Sequence, residues 1–257
     1  MKLAIIGGSL LGEIHEFTRI TEESIKTPFG EPSDICTTAR IKNTEVVYVN
    51  RHGPSHHIAP HQINYRANMF MLKMLEVTHV IAVTAVGGIT EKMSPMQWVV
   101  PDQIIDYTYG RMQTYNDGNE NEVNHIDFTY PFDDSLRKKL QHAIGMENME
   151  CITQATYGVT QGPRLETVTE IKRLQRDGCD IVGMTAMPEA ALARELEMSY
   201  ATLSLVVNWA AGKGAADSSD KTQQTSEIIS MDEIKQRIAV GNEKIENVIK
   251  NVISLFK

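Results

Sequence analysis

Residues 78–88 read THVIAVTAVGG. The run is apolar without a polar stripe, rich in Val and Ile, and stopped by two glycines, which describes a buried strand rather than a helix. Similar runs lie on either side: KLAIIGG at 2–8, EVVYVNRHG at 45–53, CDIVG at 179–183 and SYATLSLVVNWAAG at 199–212, with shorter extended stretches MQWVVPDQIIDYT at 96–108 and CITQATYGVTQGPR at 151–164. Segments of helical period separate them: HQINYRANMFMLKMLEV at 61–77, SLRKKLQHAIGMEN at 135–148, TVTEIKRLQRDG at 167–178 with Gly178 placed to end it, and the helix after Pro188. A polar loop at 212–227 precedes a long closing helix at 230–256 that Ser230 caps. Strands alternating with helices imply an α/β sandwich, a central mixed β-sheet flanked by helices, and no linker divides residues 1–257, so one domain is expected.

Hydrophobic residues make up 42% of the chain and charged residues 23%, ordinary for a globular protein. The net charge of −8 argues against non-specific nucleic-acid binding. Three cysteines without CxxC spacing, Cys36, Cys151 and Cys179, read as reduced thiols of a cytoplasmic protein, not as a disulfide framework or zinc site. No apolar run approaches the roughly 20 residues that cross a bilayer, and the N-terminal apolar stretch, broken by Gly7-Gly8, reads as a strand rather than a signal peptide.

In open α/β sheets ligands collect at the carboxyl ends of strands. Four such ends carry anion-binding chemistry. Gly7-Gly8-Ser9 offers close backbone approach and a hydroxyl, although in isolation a plain turn is the better reading of it. Arg51-His52-Gly53 offers a planar guanidinium suited to phosphate oxygens, with a surface ion pair as the other reading, and His52 is able to donate a hydrogen bond or hold a neighbour. His56, His57 and His61 read as loop and helix-start residues, since no HExxH accompanies them. Thr84-Ala85-Val86-Gly87-Gly88 brings a hydroxyl and a backbone N–H. Gly183-Met184-Thr185 brings an apolar surface and another hydroxyl. Glu189 has two readings, a grip on sugar hydroxyls or the first turn of a helix.

Seven segments in order resemble the trimeric nucleoside phosphorylase family: IIGGS near the start, TPFGEPS at 27–33, RHG at 51–53, HxxNYxAN at 61–68, TAVGG at 84–88, QGPRLET at 161–167 and GMTAMPE at 183–189. The resemblance covers nearly the whole chain. It implies phosphorolysis of a purine nucleoside, with phosphate held by Ser9, Arg51, His52, Thr84, Ala85 and Thr185. Met184 is expected on the ribose, with Thr84 close by. Gln161, Leu165, Glu166, Val207 and Asn208 are expected around the base, and Met231 and Ile234 along the 5'-alkylthio group, unless their helical spacing simply faces the core. His125 matches a residue that reaches the nucleoside across a subunit boundary, which implies a homotrimer. Arg51, His52 and Asn208 are the expected catalytic set. Inorganic phosphate is a co-substrate, and neither a metal nor an organic cofactor is expected.

The sequence departs from the methylthioadenosine branch at one strand. That branch ends it in Thr-Asp-x-Asp, whereas here Asn208 and Ala210 occupy the two acidic positions. A carboxylate only accepts hydrogen bonds, while an amide both donates and accepts. Asn208 therefore suits a 6-oxopurine with a proton on N7, and the resemblance implies that Glu166 matches the acid 6-oxopurine phosphorylases place on the N1–H edge, unless it merely starts the helix that follows. S-methyl-5'-thioinosine is the first expectation, with inosine and guanosine next. A methylthioadenosine phosphorylase of relaxed base choice, a hydrolytic nucleosidase and a nucleoside sensor are the rival readings.

Overall fold

The computed structural model describes residues 1–10, 18–41, 44–116, 118, 123–214 and 229–256. Strand β5 (His79–Gly88), the run singled out above, is its axis. On one edge β5 pairs in parallel with β11 (Ser199–Trp209), from Ser199 opposite His79 to Trp209 opposite Gly88. On the other edge it has two partners in succession. β1 (Leu3–Gly7) runs parallel to it at 79–82, and β10 (Ile181–Gly183) runs antiparallel to it at 87–88. Between these partners, residues 83–86 face no paired strand on that edge among the described residues, so the sheet is split there.

Around this axis the order is β2 (Thr18–Glu23), β3 (Cys36–Ile41), β4 (Thr44–Asn50), β1, β5, β10, β9 (Thr156–Val159) and β7 (Gln103–Asp106), while β11 also pairs with β6 (Trp98–Val99), and β6 with β8 (Cys151–Ile152). Parallel and antiparallel pairs coexist, as the mixed-sheet expectation requires. The antiparallel pair β2–β3 was not expected. TRITEE carries charges instead of an apolar run, and an edge strand held by its neighbour's backbone leaves little hydrophobic signal.

The period of two along the central strands divides the core into two layers. Ala4, Ile6, Val47, Val49, Val80 and Ala82 face α1 (Tyr65–Met74) and α4 (Ala186–Glu195). Leu3, Ile5, Val46, Ile81, Val83, Leu203 and Leu205 face α2 (Asp134–Met146) and α5 (Met231–Ser254). α5 buries Ile245, Val248, Ile249, Val252 and Ile253, each contributing roughly 1.5–3 kcal/mol on leaving water. Its N-cap is Ser230, as expected, accepting from the Glu233 N–H at 3.3 Å. α3 (Val168–Arg176) begins with a capping box between Thr167 and Glu170, and Gly178 follows its end at φ +96°, a conformation that favours glycine. The expected loop at 212–227 lies outside the described residues from position 215 onward.

Candidate active site

The split in the sheet becomes a cavity of about 410 Å³ lined by the ends of β1, β4, β5, β10 and β11. Ser9, Arg51, His52, Thr84, Ala85, Leu165, Glu166, Met184, Thr185, Val207, Asn208, Met231 and Ile234 all line it. Residues spread over most of the chain therefore share one space.

Arg51 follows β4, and its backbone N–H donates to Gly7 at 2.9 Å, continuing the β1–β4 ladder by one step. Its side chain is 1% exposed, which rules out a surface ion pair. Nε and Nη2 donate to the two oxygens of Glu189, both at 2.8 Å. Burial opposes the charge, but Glu189 outweighs it and holds the guanidinium protonated. Nη1 has only 3.4 Å contacts with the carbonyls of Gly7 and Val83, so it is the edge left for a ligand. Gly8 makes this approach possible, because a Cβ there would lie 3.1 Å from Nη1.

Glu189 corrects one reading. It sits in the first turn of α4, fully buried, and also accepts from the Tyr200 hydroxyl at 2.9 Å. It is absent from the cavity lining, so it does not grip sugar hydroxyls; it is the counter-ion of Arg51.

His52 donates a hydrogen bond, as expected, but within its own chain. Nδ1 lies 2.8 Å from the Ile58 carbonyl, which can only accept, so this nitrogen carries the proton. Burial, then the charge of Arg51, pushes the ring down to about 4, and at neutral pH it is uncharged. Its Nε2 can then accept but not donate. His56 was expected to be a plain loop residue. Instead it and His57 line the cavity, with the His56 ring 4.4 Å from that of His52 and its Nε2 3.4 Å from the Ser9 hydroxyl.

At the opposite wall, β11 shifts register between Val206 and Asn208. Strict alternation would point Val207 and Asn208 to opposite faces, whereas the bulge lets both reach the cavity. Asn208 Nδ2 donates to the Trp209 carbonyl at 2.6 Å, leaving its second hydrogen and its Oδ1 available. Glu166 lies before α3 rather than in it and accepts from the Thr160 hydroxyl at 2.6 Å. Met231 and Ile234 form an apolar edge together with Ile229 and Ile238.

Two expected residues lie elsewhere. Gln161 faces a neighbouring cavity of about 480 Å³ that shares Glu166, and its side-chain oxygen accepts from the Tyr109 N–H and from Arg111 Nε, both at 3.2 Å. His125 is exposed and does not line the cavity of its own chain.

Arg111 went unnoticed in the sequence. Nearly buried, it donates to the carbonyls of Met184 at 2.8 Å, Met187 at 2.6 Å and Gln161 at 2.9 Å, and to the Tyr65 hydroxyl at 3.2 Å. Tyr65 in turn donates to Pro60, another lining residue. One guanidinium thus ties together three segments of the cavity wall. Nothing in GRMQ at 110–113 announces this, because the acceptors are backbone carbonyls distant in the chain.

Residues 2–254 match the family model described as "Phosphorylase superfamily". A protein of Pseudomonas syringae pv. tomato named "Probable S-methyl-5'-thioinosine phosphorylase" is 45% identical over 251 residues, 98% of either chain. The "6-oxopurine nucleoside phosphorylase" of Pyrococcus furiosus is 40% identical, covering 98% of this chain and 91% of its own. Methylthioadenosine phosphorylase from Schistosoma mansoni, solved with adenine, superposes with a TM-score of 0.88 at 28% identity, over 99% of this chain and 91% of its own. The fold, the order of its motifs and these likenesses lead to one statement: the chain belongs to the phosphorylase superfamily.

Proposed function

We propose that this protein cleaves the N-glycosidic bond of a 6-oxopurine nucleoside with inorganic phosphate, S-methyl-5'-thioinosine being the preferred substrate. The observation that carries the reading is that Arg51 and Asn208 line one cavity from opposite walls. Phosphate at the Arg51 end accepts from Nη1, from the hydroxyls of Ser9, Thr84 and Thr185 and from the Ala85 N–H, while His52 Nε2 accepts a phosphate proton. As the glycosidic bond stretches, the sugar gains positive charge. The adjacent phosphate stabilises that charge and is already placed for attack at C1'. Asn208 steadies the departing base, its free N–H donating to O6 and its Oδ1 accepting from N7 as that nitrogen takes up a proton from solvent. Glu166 accepts from N1–H.

The amide at 208 and the names of the curated relatives favour a 6-oxo base. The methylthioadenosine phosphorylases among the structural neighbours keep the 6-amino alternative in the test. The apolar edge of Ile229, Met231, Ile234 and Ile238 favours a methylthio group over a 5'-hydroxyl. We also propose a homotrimer in which His125, exposed and away from its own cavity, completes the site of a neighbour. The free thiols of Cys36, Cys151 and Cys179 support a cytoplasmic setting. No cofactor enters this mechanism.

Initial rates on methylthioinosine, methylthioadenosine, inosine and guanosine, with and without phosphate, test the reading. Methylthioinosine with phosphate gives the highest kcat/KM. Turnover independent of phosphate would instead identify a hydrolase, and an active monomer in sedimentation would remove the trimer.

A further inference from the structure

Tyr157, in β9, is fully buried, and its ring passes beneath Gly183, where any Cβ would collide with the phenol oxygen. The glycine thus opens the space that the hydroxyl occupies. The polar neighbours of that hydroxyl are those of Thr84 and Thr185, both on the cavity wall, yet it meets neither in the geometry of a formed hydrogen bond. A buried phenol without a partner costs roughly 1–3 kcal/mol, so it calls for a use.

Hydroxyl valence supplies one. Thr84 Oγ1 lies 2.8 Å from Ser204 Oγ, and either oxygen can donate in that bond. A hydroxyl has one hydrogen and two lone pairs. With Ser204 and Tyr157 both donating, the lone pairs of Thr84 are filled and its hydrogen is left to point into the cavity. We propose that Tyr157 is a positioning residue for phosphate: with phosphate bound, its otherwise unpartnered hydroxyl donates to Thr84 Oγ1 and thereby fixes Thr84 as a donor to a phosphate oxygen. The proposal rests on the reading of the Arg51 end of the cavity as the phosphate site. Burial pushes the phenol up to about 12, so its proton stays in place over the working pH range.

Tyr157→Phe keeps the ring and removes the hydroxyl. Rates are measured over a range of phosphate at saturating nucleoside, and melting temperature with and without inorganic phosphate. The expected result is a roughly two- to tenfold fall in kcat/KM for phosphate, the worth of one hydrogen bond. Nucleoside KM stays within about twofold, and the phosphate-free melting temperature is unchanged or higher. The upward shift of melting temperature on adding phosphate shrinks. In a Thr84→Val background, Tyr157→Phe adds no further loss. Wild-type phosphate kinetics and an undiminished phosphate shift in Tyr157→Phe would overturn the proposal, as would a full additional loss in the Thr84→Val background. If the wild-type enzyme itself shows no dependence on phosphate, the reading of the cavity fails first, and this proposal with it.

Discussion

Arg51 and Glu189 lie 138 positions apart and form a bidentate ion pair, both bonds 2.8 Å, with neither side chain more than 1% exposed. Two nitrogens of the guanidinium are spent on orientation, and the third faces the cavity. The carboxylate stabilises the charge that the proposed phosphate site uses and also partly neutralises it. The pair therefore sets the direction of the donor more than the strength of the field.

Removing one partner strands the other as a buried charge. Glu189→Ala is expected to destabilise the fold by about 3–5 kcal/mol and to raise the KM for phosphate. The double variant Arg51→Met with Glu189→Leu recovers much of that stability while remaining inactive. Chemical denaturation and initial rates on the three proteins check this; a double variant as unstable as Glu189→Ala contradicts it.

The proposed function gives the choice of base to Asn208. In Asn208→Asp the amide donor is lost, and a carboxylate repels a 6-oxo oxygen while accepting from a 6-amino group. The ratio of kcat/KM for methylthioinosine to that for methylthioadenosine is expected to fall by at least about tenfold, the worth of one hydrogen bond to a charged group. A variant that keeps the wild-type ratio contradicts this account of base choice.

His52 makes stability depend on pH. Its ring titrates near 4 in the folded chain, against 6.5 for an unperturbed ring. The unfolded chain therefore binds the extra proton first as pH falls. The contribution of His52 is fully present above about 6.5, declines between 6.5 and 4, and is gone below 4. His52→Asn, whose amide can still donate to Ile58, is expected to flatten the melting-temperature profile across that window. An unchanged slope between pH 4 and 6.5 contradicts the assignment.

Arg111 holds the wall without itself lining the cavity. Arg111→Lys keeps the charge but lacks the fork that reaches Met184, Met187 and Gln161 together. The expected cost is about 2–4 kcal/mol of stability, with a rise in nucleoside KM that exceeds any change in phosphate KM. Denaturation and two-substrate kinetics separate this from a purely structural role, which would leave both KM values alone.

The sequence by itself determined the central strands of the sheet and which of their ends are polar. Buried strands must be apolar along their length, so a hydroxyl or guanidinium stands out where 83–86 or 50–52 break the pattern. The same local logic located the cap at Ser230 and the glycine after α3. Only the tertiary structure decided who partners whom. The ion pair of Arg51 with Glu189, the tautomer of His52 and the carbonyls gathered by Arg111 join segments far apart in the chain, and no local period encodes such contacts. The bulge that turns both Val207 and Asn208 inward lies where β5 passes from β1 to β10, a coincidence of pairings that no local period encodes. Chemistry was legible where it interrupts a hydrophobic run, and illegible where it depends on one strand lying against another.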